Sequence, residues 1–214
     1  MKNIKRIWCN EGEEPSPERI IKIDASALSN LNQQDDSSIK TIDNTIFFYS
    51  DVSSVAAIEV NKLLTELEVK LLNLKNNLGD DYSPSIKLRI NSGGGSLMDG
   101  LAILDCIRSM RVPVHTYIDG AAASAATIIS IAGKKRFIGK NSFMLIHQLS
   151  GGYFGTFHQL EDEHNNSKRL MSLMKDIYKE YTKIPIKKLE EILKHDLWFN
   201  AKECLEYGLV DHII

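Results

Sequence analysis

The chain has 214 residues, 43% of them hydrophobic, with 26 Lys and Arg against 28 Asp and Glu for a formal charge of -2. That length suits one domain around one substantial core, and so even a charge balance gives no electrostatic footing to a nucleic-acid partner or an anionic membrane. Cys9, Cys106 and Cys204 lie far apart with no C-x-x-C pair, which argues against a zinc or dithiol site and for a reducing compartment. The N-terminus turns acidic before any apolar core of signal-peptide length, and the longest weakly polar stretch, residues 121–133, is too short to span a bilayer. The expectation is a cytoplasmic protein.

Residues 1–44 read as an arm or loop, since Ser, Asn, Gln and Asp crowd residues 26–43 and no period persists there. The domain is expected over 45–214. Ile46, Phe47, Phe48 and Tyr49 form an aromatic, β-branched run that predicts a buried strand. Val55, Ile58, Leu63, Leu67, Leu71, Leu74 and Leu78 recur at helical steps until Gly79 and Asp80, which predicts an amphipathic helix. Ile86, Leu88 and Ile90 alternate with Lys87 and Arg89 as a strand, followed by the glycines 93–95 and a helix over 98–107. The order repeats: a strand over 114–118, a small-residue turn at Gly120, a helix over 124–132. Short strands are expected at 136–138 and 143–146, an extended segment at 151–156 and one long charged helix over 157–182. Asn200 with Glu203 resembles a capping box, Gly208 is placed to end that helix, and a strand is expected over 209–214. Strand, turn and helix recurring as one unit give an α/β fold, without solenoid repeats or a linker to a second domain.

Acyl transfer needs a nucleophile, a base within hydrogen-bond reach, a group that orients the base, and two donors aimed at the developing oxyanion. Ser124 sits at a predicted helix start among Ala121, Ala122, Ala123, Ala125 and Ala126, with little bulk around its hydroxyl. Gly93, Gly94 and Gly95, between a strand and a helix, let backbone approach a ligand closely. His147 follows the apolar run 143–146 and emerges at the C-terminal end of a strand, where α/β clefts lie. Asp196 precedes Trp198 and Phe199, an apolar pair that could bury it beside an imidazole. Each feature also has an ordinary role, as packing serine, turn glycine, structural histidine or helix-end carboxylate. The nearest approach to a phosphate loop, residues 133–142, has five residues between its glycines and Asn141 where Ser or Thr is required. His158 and His164 lack the i, i+4 spacing of a helical zinc site. Neither a nucleotide nor a metal site is expected, and no cofactor in this chain.

Together these segments resemble the Clp protease proteolytic subunit family, a family of serine peptidases, over about residues 45–214. I-N-S-G-G-G-S at 90–96 resembles the family's I-N-S-P-G-G-S, G-A-A-A-S-A-A at 120–126 its G-Q-A-A-S-M-G, and M-L-I-H-Q at 144–148 its M-I-H-Q. W-F-N-A-K-E-C-L-E-Y-G-L-V-D at 198–211 resembles F-L-S-A-x-E-A-x-E-Y-G-L-V-D. The resemblance implies a Clp/crotonase-type α/β fold with a protruding handle, at about 151–182. It implies Ser124 as nucleophile, His147 as base and Asp196 as orienting carboxylate, with the backbone N–H groups of Gly94 and Ala125 as oxyanion donors. It further implies a homo-oligomer of two stacked heptameric rings enclosing a chamber, unfolded polypeptide as substrate, and an AAA+ unfoldase partner that alone consumes ATP.

The departures are specific. Gly93 replaces the family's Pro, and Ala121, Ala125 and Ala126 replace Gln, Met and Gly around the serine. Lys87 and Arg89 stand where the family carries aromatic residues of the pocket that receives the unfoldase, so docking by the usual hydrophobic loop does not follow from the resemblance. Residues 1–44 do not align with the family's N-terminal pore loop and the helix after it. The alternatives are a catalytically inactive regulatory ring subunit, a Clp-like protease of the kind bacteriophages use in capsid maturation, which the A-A-S-A-A flavour at 122–126 resembles, and a crotonase-type acyl-CoA enzyme.

Overall fold

The computed structural model describes residues 39–79 and 81–214. These lie in one compact unit, residues 37–214. The expected arm at 1–38, Cys9 included, lies outside the described residues.

The arm reading is corrected over its last residues. β1 (Ile39–Ile42) pairs antiparallel with β2 (Thr45–Phe48) through a tight turn in which Asp43 takes φ 55. Of β1 only Ile39 is buried, so this polar edge strand left no apolar period in the sequence. α1 (Ser54–Leu78) starts at Ser53, whose hydroxyl accepts from the Ala56 N–H, and stops at Gly79, which takes φ 88 and donates to the Lys75 carbonyl. Its buried stripe runs through Ala56, Ala57, Val60, Leu64, Leu67 and Leu71. Val55 and Ile58, expected on the packed face, are 77% and 70% exposed. The two alanines let the helix lie close on its neighbours and take the inward positions themselves.

β3 (Ile86–Ser92) leads through the glycine loop into α2 (Leu97–Ser109), and β4 (Val114–Ala123) leads into α3 (Ala125–Ile131). β4 is longer than the sequence suggests, because Gly120, at φ 76, continues the strand rather than ending it. β5 (Lys135–Ile138), β6 (Phe143–Leu145) and the long α4 (Phe157–Tyr181) follow. Then come α5 (Ile186–Ile192), β7 (Trp198–Asn200), α6 (Ala201–Glu206) and β8 (His212–Ile213). The Asn200–Glu203 capping box is present at α6, whereas α5 was not foreseen. Residues 151–156, expected to be extended, are irregular and pair with no strand among the described residues.

The sheet order is β1-β2-β3-β4-β5-β8, with β6 bridging β4 and β7 off that path. Every neighbouring pair is parallel except β1–β2 and β6–β7, as strand-turn-helix units require. Ile86, Leu88 and Ile90 of β3 are fully buried while Lys87 is exposed, so one sheet face packs in the core with Ile103, Ile128 and Ile131. The other face carries the Tyr117 ring stacked on Phe137 at 4.5 Å. There Arg89 grips Asp119 through two 2.6 Å hydrogen bonds, and the Tyr49 hydroxyl donates to the same carboxylate at 2.6 Å. Among the described residues no helix is long and apolar enough to cross a membrane.

Candidate active site

The nucleophile candidate stands where β4 becomes α3. Ala121, Ala122 and Ala123 pair with Phe143, Met144 and Leu145 of β6 in parallel register, and the Ser124 N–H donates to the Leu145 carbonyl at 2.8 Å. Ser124 then takes φ 54, ψ -125. A non-glycine residue held there costs on the order of 1–3 kcal/mol, which a protein retains where the geometry has a use. Gly94, at φ 97, packs directly on this turn: a Cβ there would lie 2.6 Å from the Ala123 carbonyl oxygen and 2.7 Å from Ser124 Cβ. Only glycine fits. The loop is tied down by the Val52 N–H donating to the Gly94 carbonyl and the Ser96 N–H to the Val52 carbonyl, each at 2.8 Å.

The Gly94 N–H itself is already engaged, donating to Ser92 Oγ at 3.2 Å. To serve an oxyanion it must leave that hydroxyl. A hydroxyl two residues before a loop N–H is a recurrent turn motif, and that spacing is the signal in the sequence that points to Ser92. The N–H of Gly95 makes no hydrogen bond among the described residues.

His147 lies two residues beyond β6, and Asp196 two residues before β7. These strands pair antiparallel with Leu145 opposite Trp198, so continuing the register by two residues sets His147 opposite Asp196. His147 Nδ1 and Asp196 Oδ1 are 2.9 Å apart, and the Gln148 N–H donates to the Leu193 carbonyl at 2.9 Å between the same segments. With Nδ1–H given to the carboxylate, Nε2 is left as the basic nitrogen. The parallel β4–β6 register, continued past Ala123 and Leu145, sets Ser124 opposite Ile146, one residue from the histidine. No hydrogen bond joins the Ser124 hydroxyl to His147 among the described residues; such contacts commonly tighten only when substrate binds. A small cleft of about 40 Å³ opens beside the serine, lined by Gly95, Leu97, Ser124, Ala125, Gln148 and Met174 among others.

The expected burial of Asp196 is corrected. Its side chain is 77% exposed, against 23% for His147. Asp196 lies in the irregular segment between α5 and β7, where residues 194–197 are all exposed, and the chain turns inward only at Phe199, at 9% exposure.

The chain matches the model of the Clp protease family over residues 33–214. It belongs to that family. An ATP-dependent Clp protease proteolytic subunit of Deinococcus radiodurans is 35% identical over 139 residues, 63% of this chain and 68% of that one. The corresponding subunit 2 of Treponema denticola is 37% identical over 161 residues, 74% and 80% of the two chains. Among solved structures, a ClpP1 point mutant from Listeria monocytogenes superposes with a TM-score of 0.68 at 26% identity, covering 80% of this chain and 91% of that one. The chain is thus of the Clp proteolytic-subunit type, with the family's α/β fold. Family membership makes it a serine peptidase and an oligomeric protease, and the crotonase-type, phage-type and inactive-subunit alternatives are not favoured.

Proposed function

We propose that this Clp-type subunit hydrolyses peptide bonds of unfolded polypeptides through Ser124, His147 and Asp196. The observation that carries the reading is the β4–β6–β7 ladder, which brings residues far apart in sequence to one end of three adjacent strands, with His147 2.9 Å from Asp196. His147 Nε2 takes the Ser124 proton as Oγ adds to the substrate carbonyl carbon. The oxyanion is held by the N–H of Ala125 and that of Gly94, released from Ser92, with Gly95 adjacent. The imidazolium returns its proton to the leaving amine as the C–N bond breaks. Water, deprotonated by the same histidine, then hydrolyses the acyl-enzyme and restores Ser124.

None of these steps needs a metal or cofactor. In the assembly we propose, two seven-membered rings stack through a handle made of residues 151–182 and enclose the sites in a chamber, in the cytoplasm. ATP is spent by a partner unfoldase of the AAA+ class, docking on a surface in which Lys87 is exposed and Arg89 is tied to Asp119.

The assembled protein should cleave a fluorogenic peptide and take up a fluorophosphonate at Ser124, and Ser124→Ala should lose both. Cleavage by the alanine variant at the wild-type rate would remove the assignment.

A further inference from the structure

The carbonyl of Ser124 is held more tightly than a first helical turn requires. It accepts from the Thr127 N–H at 2.9 Å and from the Thr127 hydroxyl at 2.6 Å. Behind Thr127, its Oγ1 is hydrogen-bonded to the hydroxyl of Tyr178 on α4. Both residues are sealed from water, at 0% and 1% exposure. A carbonyl only accepts, so when the Thr127 hydroxyl donates to Ser124 its own oxygen is left to accept from the Tyr178 hydroxyl. Burial pushes the Tyr178 phenol up to about 12, so it keeps its proton at neutral pH and has one to give.

The consequence lies on the far side of one peptide unit. The Ser124 carbonyl and the Ala125 N–H belong to the same planar trans peptide and point in opposite directions. Whatever holds the carbonyl therefore aims the N–H. This peptide follows a serine at φ 54, a conformation that L residues rarely keep unaided, and it is held by the Leu145 carbonyl on the Ser124 N–H and by Thr127 on the Ser124 carbonyl.

We propose that Thr127 and Tyr178 are positioning residues for acyl transfer: through the Ser124 carbonyl they aim the Ala125 N–H at the oxyanion and couple the nucleophile turn to the long helix α4. Neither touches substrate. The proposal rests on the reading of Ser124 and Ala125 given above, and it adds a reason for two buried hydroxyls that core packing alone does not supply.

The test uses the assembled full-length protein and two readouts at Ser124: kcat and KM on a fluorogenic peptide, and the rate of fluorophosphonate labelling. Thr127→Val keeps the shape and removes the donor; kcat and the labelling rate should fall about ten-fold or more, short of the 10²–10³-fold of deleting an oxyanion donor outright, with KM unchanged. Tyr178→Phe should fall in the same direction but less, and Thr127→Ser, which restores the hydroxyl, should recover most of the loss. If Thr127→Ser is as slow as Thr127→Val, with parallel falls in melting temperature, the pair only packs and the proposal is overturned. Wild-type rates in both Thr127→Val and Tyr178→Phe overturn it as well while leaving the catalytic reading intact. Absence of labelling in the wild type takes down both.

Discussion

Asp196 faces the imidazole with a side chain 77% open to solvent, so water screens its charge and what it chiefly supplies is direction, holding Nδ1–H and leaving Nε2 free. Asp196→Asn should lower kcat between about 10² and 10⁴-fold with little change in KM, because the amide can present its own N–H to the ring and favour the wrong tautomer. As an exposed substitution it should leave stability within about 0.5 kcal/mol; steady-state kinetics beside a thermal melt check both. Ser124, His147 and Asp196 are singled out in the sequence by stretches that resemble the family's motifs, since serine among alanines, histidine after an apolar strand and aspartate before an aromatic pair each have an ordinary role as well. The hydroxyl of Ser92 on the Gly94 N–H and the Tyr178–Thr127 contact could not be picked out so readily. The second joins residues 51 positions apart, and nothing local marks either partner. The outward-facing Asp196 belongs to an irregular exposed segment ahead of β7, and an irregular segment carries no period that the sequence could announce.

Among the elements, the one whose chemistry reaches furthest is β5, through Arg136. Its guanidinium grips Asp211 at 2.6 and 3.1 Å and donates to the carbonyls of Tyr181 and Gly208 at 2.5 and 2.9 Å. One side chain thereby joins β5, the end of α4 and the turn after α6. Burial raises the Asp211 carboxyl, but the hydrogen bonds from the Arg136 side chain and backbone outweigh it and hold the group below its ordinary value. A folded-state pKa below the unfolded one means that the unfolded chain binds more protons in acid. The stabilisation is therefore complete above about pH 4 and is lost as pH falls through the folded value. Melting temperatures of wild type and Asp211→Asn should differ by a constant amount from neutral pH to about pH 5 and converge below about pH 4; a gap that persisted in acid would show that the ion pair is not its source. The strands and long helices were legible here because period and punctuation agreed, as at Ser53 and Gly79 around α1. β1 and α5 were not: the first buries one residue of four, and the second, seven residues rich in Lys and Glu, buries only Leu189 and Ile192.

At the scale of the whole molecule the question is what covers the apolar surface at the start of the handle. Phe154 is 100% exposed, Phe157 69%, Tyr153 51% and Leu160 45%, a concentration of large apolar side chains that a subunit working alone would not present. If the handle joins two rings, the double substitution Phe154→Asp with Phe157→Asp should halve the mass seen by light scattering while the single ring persists. An unchanged mass would place the ring contact elsewhere. The α/β class was readable from the alternation of elements, whereas the position of β6 and β7 beside the main ladder was not, since pairing partners are chosen by long-range contact. That position has its own outcome. Ser124 is anchored in the ten-residue β4 at the centre of the sheet, whereas its two proposed helpers hang from strands of three residues each. Short ladders tend to open before long ones, so on heating peptidase activity should fade at a lower temperature than the far-ultraviolet signal of the main sheet, and the two fading together would show that β6 and β7 melt with the rest.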